Sequence, residues 1–323
     1  SLNAQENIKY QKPSDEILNL VEFDRPPNVL YDDEKNYMVF LYRNNYKSIS
    51  DLSEKELRLG GLRINPKTNI GSRVTYYNNV KVKNLKDKKG QTEQVIGIPE
   101  NAKLTNFSWS PDQTKIALTN TTSEGVELWL LTLKTGYVTK LTAPELNANI
   151  GSAITWNTDS QLMFVKMLSP NKQPLIDTKS VVPNGPTVST NFGAKAQNRT
   201  YQDLLKNKFD EHNFEQLSTS TIFKVSINGE SEKWLDEAMY RGISLSPDGK
   251  YVMVTQLKKP FSYLVTYSRF PSQTDIYTNK GELVTNLLDT PLIEELPKGR
   301  MSTRTGKRSY SWRTDKPSTL IYV

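Results

Sequence analysis

The sequence predicts an all-β fold, a β-propeller with four-stranded antiparallel blades. Three observations carry that prediction. A strand–turn–strand motif recurs along the chain, and Phe107-Ser-Trp-Ser-Pro-Asp-Gln-Thr-Lys-Ile-Ala-Leu118 is its clearest copy. Two further strand-like runs follow that copy, Val126-Glu-Leu-Trp-Leu-Leu-Thr-Leu133 and Tyr137-Val-Thr-Lys-Leu-Thr142, separated by the turn Lys134-Thr-Gly136. The motif then restarts, and four strands between restarts is the grammar of a propeller blade.

In chain order, residues 1–28 read as an N-terminal extension and residues 29–323 as a partial propeller domain. A degenerate copy opens the domain at Val29-Leu-Tyr-Asp-Asp-Glu-Lys-Asn-Tyr-Met-Val-Phe40. An insertion follows over about residues 43–77, in which 49–57 predicts a short capped helix. After the Phe107 copy comes Ile154-Thr-Trp-Asn-Thr-Asp-Ser-Gln-Leu-Met-Phe-Val165. A second insertion covers about 169–216; its first half has loop composition and residues 200–214 predict a helix. Ser220-Thr-Ile-Phe-Lys-Val-Ser-Ile227 and Ser231-Glu-Lys-Trp234 predict strands around the turn Asn228-Gly229. Ile243-Ser-Leu-Ser-Pro-Asp-Gly-Lys-Tyr-Val-Met-Val254 and Tyr310-Ser-Trp-Arg-Thr-Asp315 supply the last two copies.

The turn residues have mechanical reasons. Pro111 and Pro247 preset φ, Asp112, Asp159, Asp248 and Asp315 can accept from nearby backbone amides, and Gly249 tolerates positive φ. The copies recur every ~45 to 90 residues, against about 40 to 50 for a bare blade, and the excess lies in the insertions. Such insertions tend to gather on one face and carry function. The count reaches about four to five blades. An end inside a blade is the expectation for a truncated chain, and its open sheet edges are expected to permit self-association by strand addition.

Composition excludes several classes. No cysteine is present, which removes disulfides, thiolate nucleophiles and Cys-based zinc sites. The net charge of +7 raises nucleic acid as a partner. The densest basic run, Lys81, Lys83, Lys86, Lys88 and Lys89, is broken by Asp87 and ends at Gly90, so it reads as a hairpin tip with no reader motif beside it. No nucleic-acid partner is expected; a mildly basic face suits acidic peptides better. No apolar run approaches the ~18 residues of a membrane span, so no membrane partner is expected. Asp210-Glu211-His212 lacks spaced partner ligands and reads as a solvated helix end, and no metal or cofactor is expected. Neither Gly60-Gly61 nor Lys89-Gly90 makes a phosphate loop. Trp109, Trp156 and Trp312 share one repeat position and read as core between blades rather than a sugar-stacking platform. Ser1-Leu2-Asn3-Ala4-Gln5 resembles the tail of a cleaved secretory signal, which points to a periplasmic or secreted protein.

Longer segments resemble one propeller type. These are Leu59-Gly-Gly-Leu-Arg-Ile-Asn-Pro66, Ser72-Arg-Val-Thr-Tyr-Tyr77, Arg199-Thr-Tyr-Gln-Asp-Leu-Leu205, Lys258-Lys-Pro-Phe-Ser-Tyr-Leu264, Tyr267-Ser-Arg-Phe-Pro271 and Ser311-Trp-Arg-Thr-Asp-Lys-Pro317. In this order they resemble the N-terminal propeller of prolyl-oligopeptidase-family serine peptidases, in the branch related to plant glutamyl endopeptidase. The resemblance implies a propeller of about seven blades. It also implies a following α/β-hydrolase domain with a Ser-Asp-His triad. The propeller then covers the active site and admits short or unstructured peptides.

This chain has no Gly-x-Ser-x-Gly nucleophile elbow, and its one histidine is His212. A serine triad is therefore not expected in it. The expected role is the substrate-gating and substrate-selecting portion of such a peptidase, acting on peptide substrates, with the catalytic domain as its partner. A parent enzyme that cuts after acidic residues needs a cation for a carboxylate, and arginine offers a two-pronged fork. Arg73, Arg241 and Arg269 are the candidates. The plainer alternative for each is pairing with a blade carboxylate or capping loop carbonyls. Two other readings remain: a free-standing envelope propeller that binds proteins, and a propeller enzyme with convergent carboxylates, for which no pair is evident by spacing.

Overall fold

The computed structural model describes residues 12–87, 89–177, 201–295 and 303–323. The signal-like residues 1–5, Lys88, the loop residues 178–198 and Arg199-Thr200 of the family-like segment lie outside the described residues.

Antiparallel sheets dominate, and each begins where a copy of the motif begins. After helix α1 (Asp15–Val21), sheet I takes β1 (Asn28–Tyr31) and β2 (Tyr37–Tyr42). The first insertion then supplies helix α2 (Ile49–Ser53) and a hairpin of β3 (Leu57–Leu59) and β4 (Leu62–Ile64). Sheet I resumes with β5 (Asn79–Asn84) and β6 (Glu93–Gln94), in the order β1-β2-β5-β6. Sheet II is a meander of β7 (Leu104–Trp109), β8 (Lys115–Thr121), β9 (Val126–Thr132) and β10 (Tyr137–Lys140).

Sheet III starts with β11 (Ile154–Trp156) and β12 (Leu162–Leu168). Helix α3 (Lys208–Ser218) intervenes before β13 (Ser220–Ser226) and the 15-residue β14 (Ser231–Leu245). The first part of β14 pairs with β13, through Ala238. Its remainder, from Met239 to Leu245, pairs with β15 (Tyr251–Leu257) and so opens sheet IV. Sheet IV ends with β16 (Ser272–Thr278) and β17 (Leu283–Thr290). A last hairpin joins β18 (Ser311–Trp312) to β19 (Leu320–Ile321).

The turn chemistry repeats atom for atom. Asp112 Oδ1 accepts from Ser110 Oγ at 2.6 Å and from Thr114 N at 3.0 Å. Asp248 Oδ1 accepts from Ser246 Oγ at 2.6 Å and from Lys250 N at 3.2 Å. Asp159 Oδ1 accepts from Gln161 N at 2.9 Å. The residue after each of these aspartates has positive φ: Gln113 (58°), Ser160 (58°) and Gly249 (70°). At Gly249 a Cβ would lie 2.2 Å from Thr158 Oγ1, so close packing against the preceding turn also favours glycine there.

Alternating side chains fill the spaces between neighbouring sheets. Val39, Leu41, Val80 and Val82 of sheet I meet Leu104, Ile116, Leu118 and Leu131 of sheet II. Ala117, Leu128 and Leu130 of sheet II meet Ile154, Met163 and Val165 of sheet III. Phe164, Ile222 and Trp234 of sheet III meet Tyr240, Val252 and Val254 of sheet IV. Each fully buried Leu, Val or Phe contributes about 1.5–3 kcal/mol of transfer free energy. Two of the tryptophans also stitch neighbours together. Trp156 Nε1 donates to Ser108 O at 3.0 Å, and Trp312 Nε1 donates to Ser244 O at 3.1 Å. Ser108 and Ser244 hold the same place in their copies, so the tryptophans serve the scaffold.

A fourth core cluster joins the two insertions. Leu59 and Ile64 of the hairpin pack with Leu205, Phe214 and Leu217 of the second insertion and with Phe261, Val265 and Phe270 beside sheet IV. Phe214 sits edge-on to Phe261 at 5.1 Å and to Phe270 at 5.5 Å. Gly60 and Gly61 make the tight turn under this cap; a Cβ on Gly61 would meet Thr266 Cγ2 at 2.6 Å.

Two local expectations are corrected. The helix read over 49–57 starts with the Ser48–Asp51 capping box but stops at Ser53, because Glu54 is already extended and Leu57 begins β3. The helix read from residue 200 starts instead at Lys208. Asn207 caps it by accepting from Asp210 N at 2.9 Å, while Asp203 is engaged by the hairpin through Arg63 Nε at 2.6 Å.

Candidate functional site

Arg241 and Arg308 occupy the same repeat position, two residues ahead of Ile243 and of Tyr310. Ile243 lies in β14 and Tyr310 directly precedes β18. Equivalent positions in consecutive copies bring the two arginines to the same end of neighbouring sheets. There they line one cleft of about 440 Å³ together with Arg304. Thr255 and Thr274 contribute hydroxyls from β15 and β16, their Oγ1 atoms 3.0 Å apart, and Ser309 and Tyr310 add two more hydroxyls.

The arginines meet carbonyls rather than carboxylates. Arg241 Nη1 donates to Ser268 O at 3.3 Å. Arg308 Nη1 donates to Arg304 O at 3.1 Å, and its backbone pairs both ways with Val323 at 2.9 and 2.8 Å. Among the described residues, no carboxylate oxygen lies within 4.0 Å of the guanidinium of Arg241, Arg304 or Arg308. The cleft is thus a hydroxyl-lined pocket with three cationic forks whose charges are not neutralised by ion pairs.

Arg269 lies on the adjoining 3-10 turn (Tyr267–Arg269), whose neighbours Ser268 and Phe270 line the cleft. Its own guanidinium stacks over the Tyr201 ring at 5.0 Å, and its buried Nη1 has no hydrogen-bond partner among the described residues. Arg73 stands elsewhere, in the first insertion. Arg73 Nε lies 3.2 Å from Glu56 Oε2, and the Arg73 side chain is 62% exposed. Burial pushes the Glu56 carboxyl up, but hydrogen bonds from Ser72, Arg73 and Arg58 outweigh it and hold the group at about 2. The structure therefore brings Arg241 and Arg269 to one turn and leaves Arg73 in a separate ion-pair cluster.

Sequence reading missed Arg304 and Arg308. Their one signal is the run Arg304-Thr-Gly-Lys-Arg308 just ahead of a motif copy, where no hydrophobic period marks structure. A second cleft, about 460 Å³, lies beside the first insertion and includes Lys47, Tyr76 and Lys103. Lys103 Nζ there is held by Asp51 Oδ1 at 2.6 Å and Glu54 Oε1 at 3.4 Å, so that cation is already paired.

Among the described residues no group of three or more His, Asp or Glu side chains could hold a metal ion. Glu211 is engaged by Lys208 and Tyr263, and His212 Nε2 sits 3.0 Å from Pro174 O. No described helix is long and apolar enough to cross a membrane.

No family profile matches the chain. Two curated proteins named "Probable glutamyl endopeptidase, chloroplastic" do. The one from Oryza sativa subsp. japonica is 33% identical over 97% of this chain and 34% of its own length. The one from Arabidopsis thaliana is 31% identical over 96% of this chain and 33% of its own length. Among solved structures, the acylaminoacyl peptidase of Pyrococcus horikoshii superposes with a TM-score of 0.43 at 15% identity, covering 84% of this chain and 33% of that one. The chain spans about a third of the length of the curated relatives it matches. Along nearly all of its own length, the chain is similar in sequence to that third of these two proteins.

Proposed function

We propose that this chain is the substrate-gating and substrate-selecting portion of a serine peptidase of the prolyl oligopeptidase family that hydrolyses short peptides after acidic residues. The observation that carries the reading is 33% identity along 97% of the chain to a protein named glutamyl endopeptidase. The chain itself performs no bond cleavage, since it carries no Gly-x-Ser-x-Gly elbow and one histidine engaged with a backbone carbonyl. Its partner in this reading is an α/β-hydrolase domain that brings the Ser-Asp-His triad. Arg241 is the leading residue for an acidic side chain, supported by its cationic cleft. Arg269 supports the same turn, and Arg73 is a further contact from the first insertion. A periplasmic or secreted location rests on residues 1–5. Self-association rests on the sheet-edge strand β17, where Leu283 and Val284 are exposed.

The test is peptidase activity of the protein expressed from the complete gene, beside this chain, on peptides with Glu, Pro or Ala before the cut. Activity confined to the complete protein, with Glu preferred, is the expected result. No activity in either, from a gene that ends near Val323, overturns it in favour of a free-standing binding propeller.

A further inference from the structure

The arginine cleft holds more positive charge than one carboxylate requires. A single guanidinium fork satisfies a carboxylate with two parallel hydrogen bonds. Here Arg241, Arg304 and Arg308 line the same cleft of about 440 Å³, and none of them is ion-paired among the described residues. Their arrangement is built by the fold. Two of the three sit at one repeat position of consecutive copies, and Arg308 is tied by backbone pairing to Val323 at 2.9 and 2.8 Å. The Ser268 carbonyl takes one guanidinium N–H of Arg241 at 3.3 Å, and the carbonyls of Arg304 and Gly306 take Arg308 Nη1 at 3.1 and 3.5 Å, which orients both forks and leaves Nε and Nη2 of each available. The hydroxyls of Thr255, Thr274 and Ser309 add neutral donors around the same volume.

Like charges that line one cleft without ion-pair partners repel, so a cleft of this kind favours a ligand that supplies more than one negative charge. We infer that the cleft is a subsite for a peptide segment carrying two negative charges close together, clamped jointly by Arg241, Arg304 and Arg308. The inference rests on the peptide-handling reading above and adds to it a preference that a single acidic residue does not express. Two sources share this chemistry: two consecutive acidic side chains, or one phosphorylated side chain.

The test is binding to this chain, read by fluorescence anisotropy, which needs no catalysis. The probes are labelled peptides with a central Ala-Glu-Ala, Glu-Glu, phosphoserine or Gln-Gln. The Glu-Glu or phosphoserine peptide is expected to bind about tenfold tighter than the single-Glu peptide, with an advantage that shrinks as salt rises. Whichever of the two binds tighter identifies the source. Arg304→Ala/Arg308→Ala is expected to erase the advantage. Arg304→Lys/Arg308→Lys keeps the charge but loses the fork, and is expected to keep part of it. Lys81→Ala/Lys83→Ala removes the same net charge from sheet I and is expected to leave the preference unchanged. Equal affinity of the unmodified chain for the Glu and Glu-Glu peptides, with phosphoserine no better, overturns the inference whatever the variants do. So does retention of the preference by the double alanine variant at an unchanged melting temperature. A complete protein without peptidase activity would sink the peptidase reading while leaving this binding result standing.

Discussion

At the scale of single residues, one costly placement is Lys166. It lies on β12 inside the sheet, fully enclosed, with its ammonium donating to Ile150 O. Burial pushes its pKa down from 10.5 to about 7. The sign of the consequence follows from proton counting. Between about 7 and 10.5 the unfolded chain binds more protons at this site than the folded one. Stability from this group therefore rises as pH increases through that window and is lowest below it. Lys166→Met, similar in volume and uncharged, is expected to raise stability at pH 7 by about 1–4 kcal/mol and to flatten the slope between pH 7 and 10. Urea denaturation at several pH values reads both effects; an unchanged slope would show that the amine is solvated in solution.

At the scale of elements, the repeat copies were legible because their information is local. Ser110, Asp112, Ser246 and Asp248 close their turns with bonds to residues two to five positions away, so the sequence pattern is the structure. The insertions were not legible for the opposite reason. The β3–β4 hairpin owes its form to Gly60 and Gly61 pressed against Phe214 and Thr266, partners more than 150 residues distant. Helix α3 begins at Lys208 and not at residue 200 because distant groups hold the preceding stretch: Gly61 N donates to Asp203 O at 2.8 Å. Nor did Asp236-Glu-Ala238 look like strand, since charged residues there hide the continuity of β14. In the candidate site, Arg241 was legible from its place ahead of a motif, whereas Arg304 joins it only through the fold. The cap makes its own prediction. Phe214→Ala removes the ring on which Phe261 and Phe270 close and is expected to cost about 3–5 kcal/mol. A loss under 1 kcal/mol in thermal or urea unfolding would mean that the two insertions are not packed through this residue.

At the scale of the molecule, sheets I to IV touch mainly their sequence neighbours, as in other repeat arrays. Stability should then grade along the array. Strands β8 and β12 are buried almost end to end, while β17 is largely exposed and the β18–β19 hairpin is made of two-residue strands. Amide hydrogen exchange is expected to be slowest in β8 and β12 and faster in β17 to β19. Uniform protection from β1 to β19 would instead indicate a single cooperative unit closed by contacts outside neighbouring pairs.

The seams between sheets also differ in slack. Residues 95–103 separate sheet I from sheet II, and residues 141–153 separate sheet II from sheet III. Sheets III and IV have no connecting loop, because Ala238 and Met239 are consecutive residues of β14. A strand that serves two sheets works as a rigid strut: splaying them would require its backbone to bend or its ladder to tear. Relative movement of the sheets must then be borne at the looped seams, with III and IV moving as one plate that carries Arg241, Thr255 and Thr274 of the cleft together.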